Sequence, residues 1–242
     1  MKLAVIIPVY NAENTIRKAV KSIDTTHDVE IICINDGSTD RTKQVLTELQ
    51  KEVKHLIVYH QDNQGAAKSR NMGLSAMSDD IDAFMFLDAD DQFLPGKMDQ
   101  MIQYYEKNEH LDIVIGQIGR GLNGDWKVIP THEDIHREAI VSLAEAPEIL
   151  QSIGPGGKLF KAKFNTLRFD EDVVFCEEHT FVTRAYLMAR DIQLVPFIVY
   201  GYNEREGSIT DQRADTFISY LEDARKVRRE VMDMLLLVKE KA

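Results

Sequence analysis

Cysteine is scarce: Cys33 and Cys176 are the only two in 242 residues. They lie far apart, without CxxC or knuckle spacing, and read as free thiols of a reducing compartment. Positive charge is also short, with 29 Lys and Arg against 40 Asp and Glu and a formal net charge of −11. Nucleic-acid binding needs clustered cations to neutralise phosphates, so that class is excluded. No apolar run reaches the ~20 residues of a membrane-spanning helix. The opening run Leu3–Ile7 meets Pro8 and Asn11 at once, with no small-residue cleavage site, unlike an export signal. Walker A and GxGxxG sequences are missing, and neither Ser38 nor Ser69 has a nucleophile-elbow context. The seven histidines are expected to add little. These absences leave a cytoplasmic protein, at most attached to the inner face of the cell membrane.

What is present alternates strand and helix. Leu3–Val9 and Val29–Ile34 are continuous apolar runs, the pattern of strands buried on both faces. Further strands are expected at His55–Tyr59 and Ala83–Leu87. Helices are expected over Asn11–Asp24 (capped by Asn11 or Asn14), Arg41–Val53, Ala66–Met77 and Pro95–Lys107. Strands separated by helical stretches of 10–15 residues indicate βαβ units and a parallel sheet. Ligands of such sheets bind beyond the carboxyl ends of the strands. Three strand ends carry polar loops there: Pro8–Asn11, Asn35–Asp40 and Asp88–Asp91.

The sharpest of these is Phe86-Leu-Asp-Ala-Asp-Asp91. Three carboxylates within four positions repel one another unless a cation neutralises them. Their hard oxygens suit Mg²⁺ or Mn²⁺, which in turn hold phosphate oxygens. Alternation along extended chain places Asp88 and Asp90 on one side. Asp91 is read either as part of this group or as the cap of the following helix.

The motifs, taken in order, resemble those of a family 2 glycosyltransferase. They are Val5-Ile-Ile-Pro-Val-Tyr-Asn11, Ile34-Asn-Asp-Gly-Ser-Thr-Asp40, Asn63–Leu74 and the DxD-like Phe86–Asp91. The resemblance implies the GT-A fold: a Rossmann-like α/β nucleotide-sugar-binding fold with a mostly parallel sheet, here followed by a C-terminal helix. It implies a catalytic domain over 1–212, with a nucleotide-sugar half at 1–91 and an acceptor half at 92–212, and a helix over 213–242.

The roles it implies are specific. Pro8, Tyr10 and Asn11 line the nucleoside pocket, and Asp36 binds the base, usually uracil. Arg70 sits near the diphosphate or donor sugar, Asp88 contacts ribose or sugar, and Asp90 holds Mn²⁺ or Mg²⁺. The donor is then a UDP-sugar carrying a hexose or N-acetylhexosamine. The acceptor is a glycan or polyol phosphate of cell-envelope type.

In the second half, Lys158 of Gly-Gly-Lys-Leu-Phe160 is placed near the acceptor or pyrophosphate. Glu177-Glu178 falls where the family carries its catalytic base, usually aspartate in the second position. The base is therefore Glu178 or its neighbour Glu177, with Glu178 preferred. Glutamate's extra methylene moves the carboxylate by about 1.5 Å. Both glutamates also suit a helix N-terminus through the macrodipole. Arg205 and Ser208 belong to a segment resembling the family's closing loop over the diphosphate.

From Ala214 onward the pattern is one long helix. Phe217, Ala224, Val231 and Val238 recur every seven residues, interleaved with Tyr220, Val227 and Met234. That seam suits packing on the chain's own body, or a homodimer through a short coiled coil. Arg225, Lys226, Arg228 and Arg229 form a solvated basic cluster that could touch anionic lipid or an anionic polymer. Three functions stay open: an inverting glycosyltransferase, a non-catalytic nucleotide-sugar-binding module, and a sugar-1-phosphate nucleotidyltransferase. The last lacks its glycine-rich opening motif.

Overall fold

A computed structural model describes residues 1–122, 124–203 and 213–239. The chain starts with β1 (Lys2–Val9), α1 (Ile16–Lys21), β2 (Asp28–Asp36), α2 (Thr42–Glu52), β3 (Leu56–Gln61), α3 (Ala66–Ala76) and β4 (Ala83–Phe86). Next come β5 (Gln92–Phe93), α4 (Lys97–Lys107), β6 (Ile113–Leu122), β7 (Asp125–Val128), β8 (Ala139–Val141) and β9 (Lys158–Lys161). It closes with α5 (Glu177–Met188), β10 (Ile192–Asn203) and α6 (Arg213–Lys239).

One sheet runs through both halves in the order β3-β2-β1-β4-β9-β6-β10-β5, with β7 on β6 and β8 on β10. The first four strands are parallel, as are β6 and β10, while β9 runs antiparallel between β4 and β6. It is the mostly parallel α/β sheet expected. Leu3 to Ile7 and Ile32 to Ile34 are essentially without exposure, because helices cover both faces. One core lies over the α1, α2 and α4 side, and the other packs α3 and α5 around Phe84, Phe86, Phe160, Phe169 and Phe181. Gly73 lets α3 approach closely, since a Cβ there would stand 2.3 Å from Ile6 Cγ2.

Several expected boundaries move. The first helix is only Ile16–Lys21, with no side-chain cap. Asn11 adopts φ 46° and accepts from the Thr39 N–H at 2.8 Å, so its amide ties two loops together instead of capping a helix. Asp91 is not a cap either. Helix α4 begins after Gly96 in the left-handed region, and Asp91 is buried elsewhere. The Asp91 N–H bonds the Asp88 carbonyl at 3.1 Å, so residues 88–91 turn, and extended alternation does not set the sides of Asp88 and Asp90.

Helix α6 packs against the chain's own body. Val227 and Val231 bury themselves with Val173, Tyr220 stacks on Phe175, and Lys226 pairs with Asp170 at 3.4 Å. Its expected basic cluster is interleaved with acids: Arg225, Lys226 and Arg229 share a surface groove with Glu222, Glu230 and Asp233. Among the described residues no helix is long and apolar enough to cross a membrane.

Candidate active site

The carboxyl ends of β1, β2 and β4 open on one edge, and the three polar loops meet there. Pairing of β1 with β4 stops at Ile6–Phe86, whereas pairing with β2 runs on to Val9–Asn35. Pro8 therefore lies where its missing N–H costs no bond to β4. Tyr10 follows, half exposed.

Asp36 ends β2 with 3% exposure. Its carboxylate accepts from Gln61 Nε2 at 2.7 Å and from the N–H groups of Gln64 and Gly65, each at 2.8 Å. The residue thereby holds the loop that leads into α3. Gly37 completes the turn at φ 67°, where a Cβ would stand 2.6 Å from Asn63 N. A side chain at this position would push the two loops apart.

Arg70 projects from α3 with 3% exposure. It donates to Glu177 at 2.9 Å, Asp88 at 3.0 Å and Glu178 at 3.1 Å, and its guanidinium carbon lies 5.4 Å from the Phe169 ring centre. Burial works against its charge, but Asp88, Glu178 and Glu177 more than offset that and hold it protonated. Residues distant in sequence thus converge on one buried cation.

The two glutamates open α5 after Cys176, a non-glycine residue at φ 67°, a strained conformation that a bulkier residue rarely adopts. Glu177 is buried, whereas about a quarter of the Glu178 side chain stays open to solvent. Crowding by the surrounding protein pushes Glu178 up to about 8; Glu177 and Asp88 add to this, and Arg70 and Lys158 oppose it. Helix α6 braces the approach to this pair, because Asp223 accepts from the N–H groups of Val174 and Phe175.

The acidic loop is tied to the end of β10. Tyr200 accepts from the Asp88 N–H and donates to Asp91, and the Asn203 N–H donates to the other Asp91 oxygen. The Asn203 amide also donates to the Asp90 carbonyl at 2.7 Å. Burial, with Asp88 and Asp90 close by, pushes Asp91 up to about 8. Asp91 therefore serves structure, while Asp88 accepts from Arg70. Arg205 and Ser208 lie outside the described residues.

Lys158 opens β9 and has no exposure; its ammonium is enclosed with Ser152 and His132. Sequence reading missed the last two residues. A signal did exist in His132-Glu-Asp-Ile-His136, whose spacing matches the zincin pattern. The structure gives that spacing another meaning. His132 ends a 3-10 turn and is buried, while His136 is exposed, so the two rings do not share a helix face. Among the described residues no cluster of three metal-ligating side chains occurs.

The family model for glycosyl transferase family 2 matches residues 4–175. The chain belongs to that family. Staphylococcus aureus TagX, provisionally described as a glycosyltransferase, is 37% identical over 245 residues, which cover all of this chain and 69% of TagX. The poly(ribitol-phosphate) beta-glucosyltransferase of Bacillus spizizenii is 28% identical over 92% of this chain and 36% of its own length. S. aureus TarS, solved with UDP-GlcNAc, superposes with TM-score 0.78 at 23% identity, over 95% of this chain and 66% of the TarS chain. This chain thus spans just under two thirds of that solved chain. The likeness establishes the GT-A fold, and the family establishes a glycosyltransferase.

Proposed function

We propose that this chain transfers a sugar from a UDP-sugar to a hydroxyl of a glycan or polyol-phosphate acceptor, inverting the anomeric configuration. The observation that carries the reading is the convergence of Asp88, Glu177 and Glu178 on buried Arg70 at the ligand edge of the sheet. The binding of UDP-GlcNAc by TarS and the activity of the poly(ribitol-phosphate) beta-glucosyltransferase support the donor and acceptor classes. The proposed catalytic unit is 1–212, with donor half 1–91, acceptor half 92–212, and the helix from 213 as a brace.

Half-buried Pro8 and half-exposed Tyr10 wall the nucleoside pocket, with Asn11 fixing its rim. A carboxylate offers about four acceptor positions. Asp36 spends three on the loop before α3, leaving one for a base N–H.

The acidic loop fits a divalent cation. Mg²⁺-type ions take one or two protein carboxylates and fill the remaining positions from phosphate oxygens and water. Asp90, with Asp88 beside it and 42% of the Asp88 side chain open to solvent, would supply that donor set. Mn²⁺ or Mg²⁺ held there supplies positive charge to the departing diphosphate.

Glu178 is the proposed base. Glu177 is buried against Arg70, whereas Glu178 keeps an open side toward an incoming hydroxyl. Its carboxylate takes the proton as the acceptor oxygen attacks the anomeric carbon, and the bond to UDP breaks on the opposite face. Arg70 contributes a fixed positive charge where negative charge develops. Thermal unfolding with nucleotides, with and without Mn²⁺, tests the donor site. A Mn²⁺-dependent rise with UDP that is lost in Asp90→Ala is expected; no rise with any nucleotide would overturn the assignment.

A further inference from the structure

The rim of the nucleoside pocket hangs on a chain of hydrogen bonds whose donor directions can be worked out from its backbone end. Asn35, 4% exposed near the end of β2, has Oδ1 3.3 Å from the Ser38 N–H, which can only donate. That atom of the amide is therefore the oxygen, and Nδ2 is the end that meets β3. Ser38 Oγ lies 2.6 Å from the same oxygen and 3.0 Å from the Asn11 nitrogen. Its hydroxyl therefore donates to Asn35 and accepts from the Asn11 N–H. Nδ2 of Asn35 lies 3.0 Å from Nδ1 of His60, its partner across the β2–β3 pair. An amide NH₂ donates, so Nδ1 must be the bare nitrogen of a neutral imidazole. A proton there would set N–H against N–H.

We propose that neutral His60 is a positioning residue for the nucleoside pocket, holding Asn35, Ser38 and the Asn11 backbone in one arrangement through its Nδ1 lone pair. This rests on the reading of Pro8, Tyr10 and Asn11 as the pocket's wall, and adds the group that sets its rim. The rim needs setting because Asn11 stands at φ 46°, uncommon for a residue other than glycine. Its side chain is fixed by the Thr39 N–H at 2.8 Å, and its own N–H by Ser38. The Asn35 amide cannot turn over to meet a protonated ring, because its NH₂ would then face the Ser38 N–H. Protonation therefore breaks the chain at its first link. The elements packed against β3 are β2 and α2. From β2 the ring meets neutral Asn35, while Asp36 beside it bonds Gln61. Partial burial of the ring, then the charge of Lys43 on α2, lowers His60 below its ordinary value and favours the neutral form.

The test follows the Asn11 amide of the ligand-free protein by proton–nitrogen NMR, beside the His60 ring, from about pH 8 to 5 across the ~6.5 of an ordinary histidine. The Asn11 N–H should shift with the same midpoint as His60. In His60→Gln, whose side-chain oxygen accepts from Asn35 without titrating, it should stay in place. Calorimetry with UDP reads the consequence. Over that range wild type should lose about three- to tenfold in affinity relative to His60→Gln, the worth of one hydrogen bond. Protonation of UDP itself is common to both proteins and cancels. His60→Leu should bind UDP weakly across the whole range, with KM raised and kcat within about twofold. The ring is exposed on an edge strand, so neither variant disturbs the core. An Asn11 amide that ignores His60 overturns the proposal. So does wild-type affinity that keeps pace with His60→Gln, or rises above it, as the pH falls; a rise would make His60 a cation for phosphate. Absence of UDP binding by wild type at every pH would sink the donor-site reading instead, and the NMR titration, which needs no donor, would decide the hydrogen-bond chain.

Discussion

The two sides of the ligand edge use polar side chains in opposite ways. At the ends of β1 and β2, Asn11 and Asp36 accept hydrogen bonds from backbone N–H groups and so shape loops. At the end of β4 and the start of α5, Asp88, Glu177, Glu178 and Arg70 bond one another. Backbone-directed bonds leave the carboxylate inert and the loop rigid. Charges directed at charges around a buried arginine leave groups whose ionisation depends on their neighbours. The first arrangement makes a binding surface, and the second makes a reactive one.

The sharpest way to break this comparison is Glu178→Gln. Loss of a general base costs ~10²–10⁴ in rate; kcat for UDP release should fall in that range, while calorimetry gives UDP affinity within about twofold of wild type. Arg70→Ala should be the most destabilising change, by about 3–5 kcal/mol in urea unfolding, because it strands buried Glu177 without a partner. Asp36→Asn should cost less, about 1–3 kcal/mol, since it weakens hydrogen bonds to backbone without stranding a charge. Asp223→Ala, at the brace from α6, should cost about 1 kcal/mol and speed proteolysis between Val173 and Cys176.

The last effect is a pH slope. Glu178 stands at about 8 in the fold, above the ~4.3 of an unfolded glutamate. The folded state therefore binds the extra proton between those values, and stability falls as pH rises across that window. Stability curves from pH 4 to 8 should flatten in Glu178→Gln.

The half built from β1 to β4 was legible because each element is local. Apolar runs, turn residues and helical spacing mark it without help from distant chain, and only the ends shifted. The long first helix was overread because Asn11 and Asn14 look like caps, whereas Asn11 bonds across to Thr39, a contact that no local pattern reveals. Asp91 was ambiguous for the same reason: its partners Tyr200 and Asn203 lie more than a hundred residues away. The order β4-β9-β6-β10 could not be read at all, because β9 inserts antiparallel between strands that precede it in sequence. Lys158, Glu177 and Glu178 were picked out by resemblance. That Lys158 is buried on Ser152 and His132 follows from packing, which a Gly-rich turn and an isolated histidine do not announce.

The central claim is direct displacement with Glu178 as base, and proton NMR of freshly formed product tests it most directly. Wild type is incubated with a UDP-sugar, Mn²⁺ and a poly(ribitol phosphate) acceptor, beside Glu178→Gln. The account predicts product with the anomeric configuration opposite to the donor's, formed by wild type and nearly absent with the variant. Product that keeps the donor's configuration, or forms at an undiminished rate in Glu178→Gln, would contradict it.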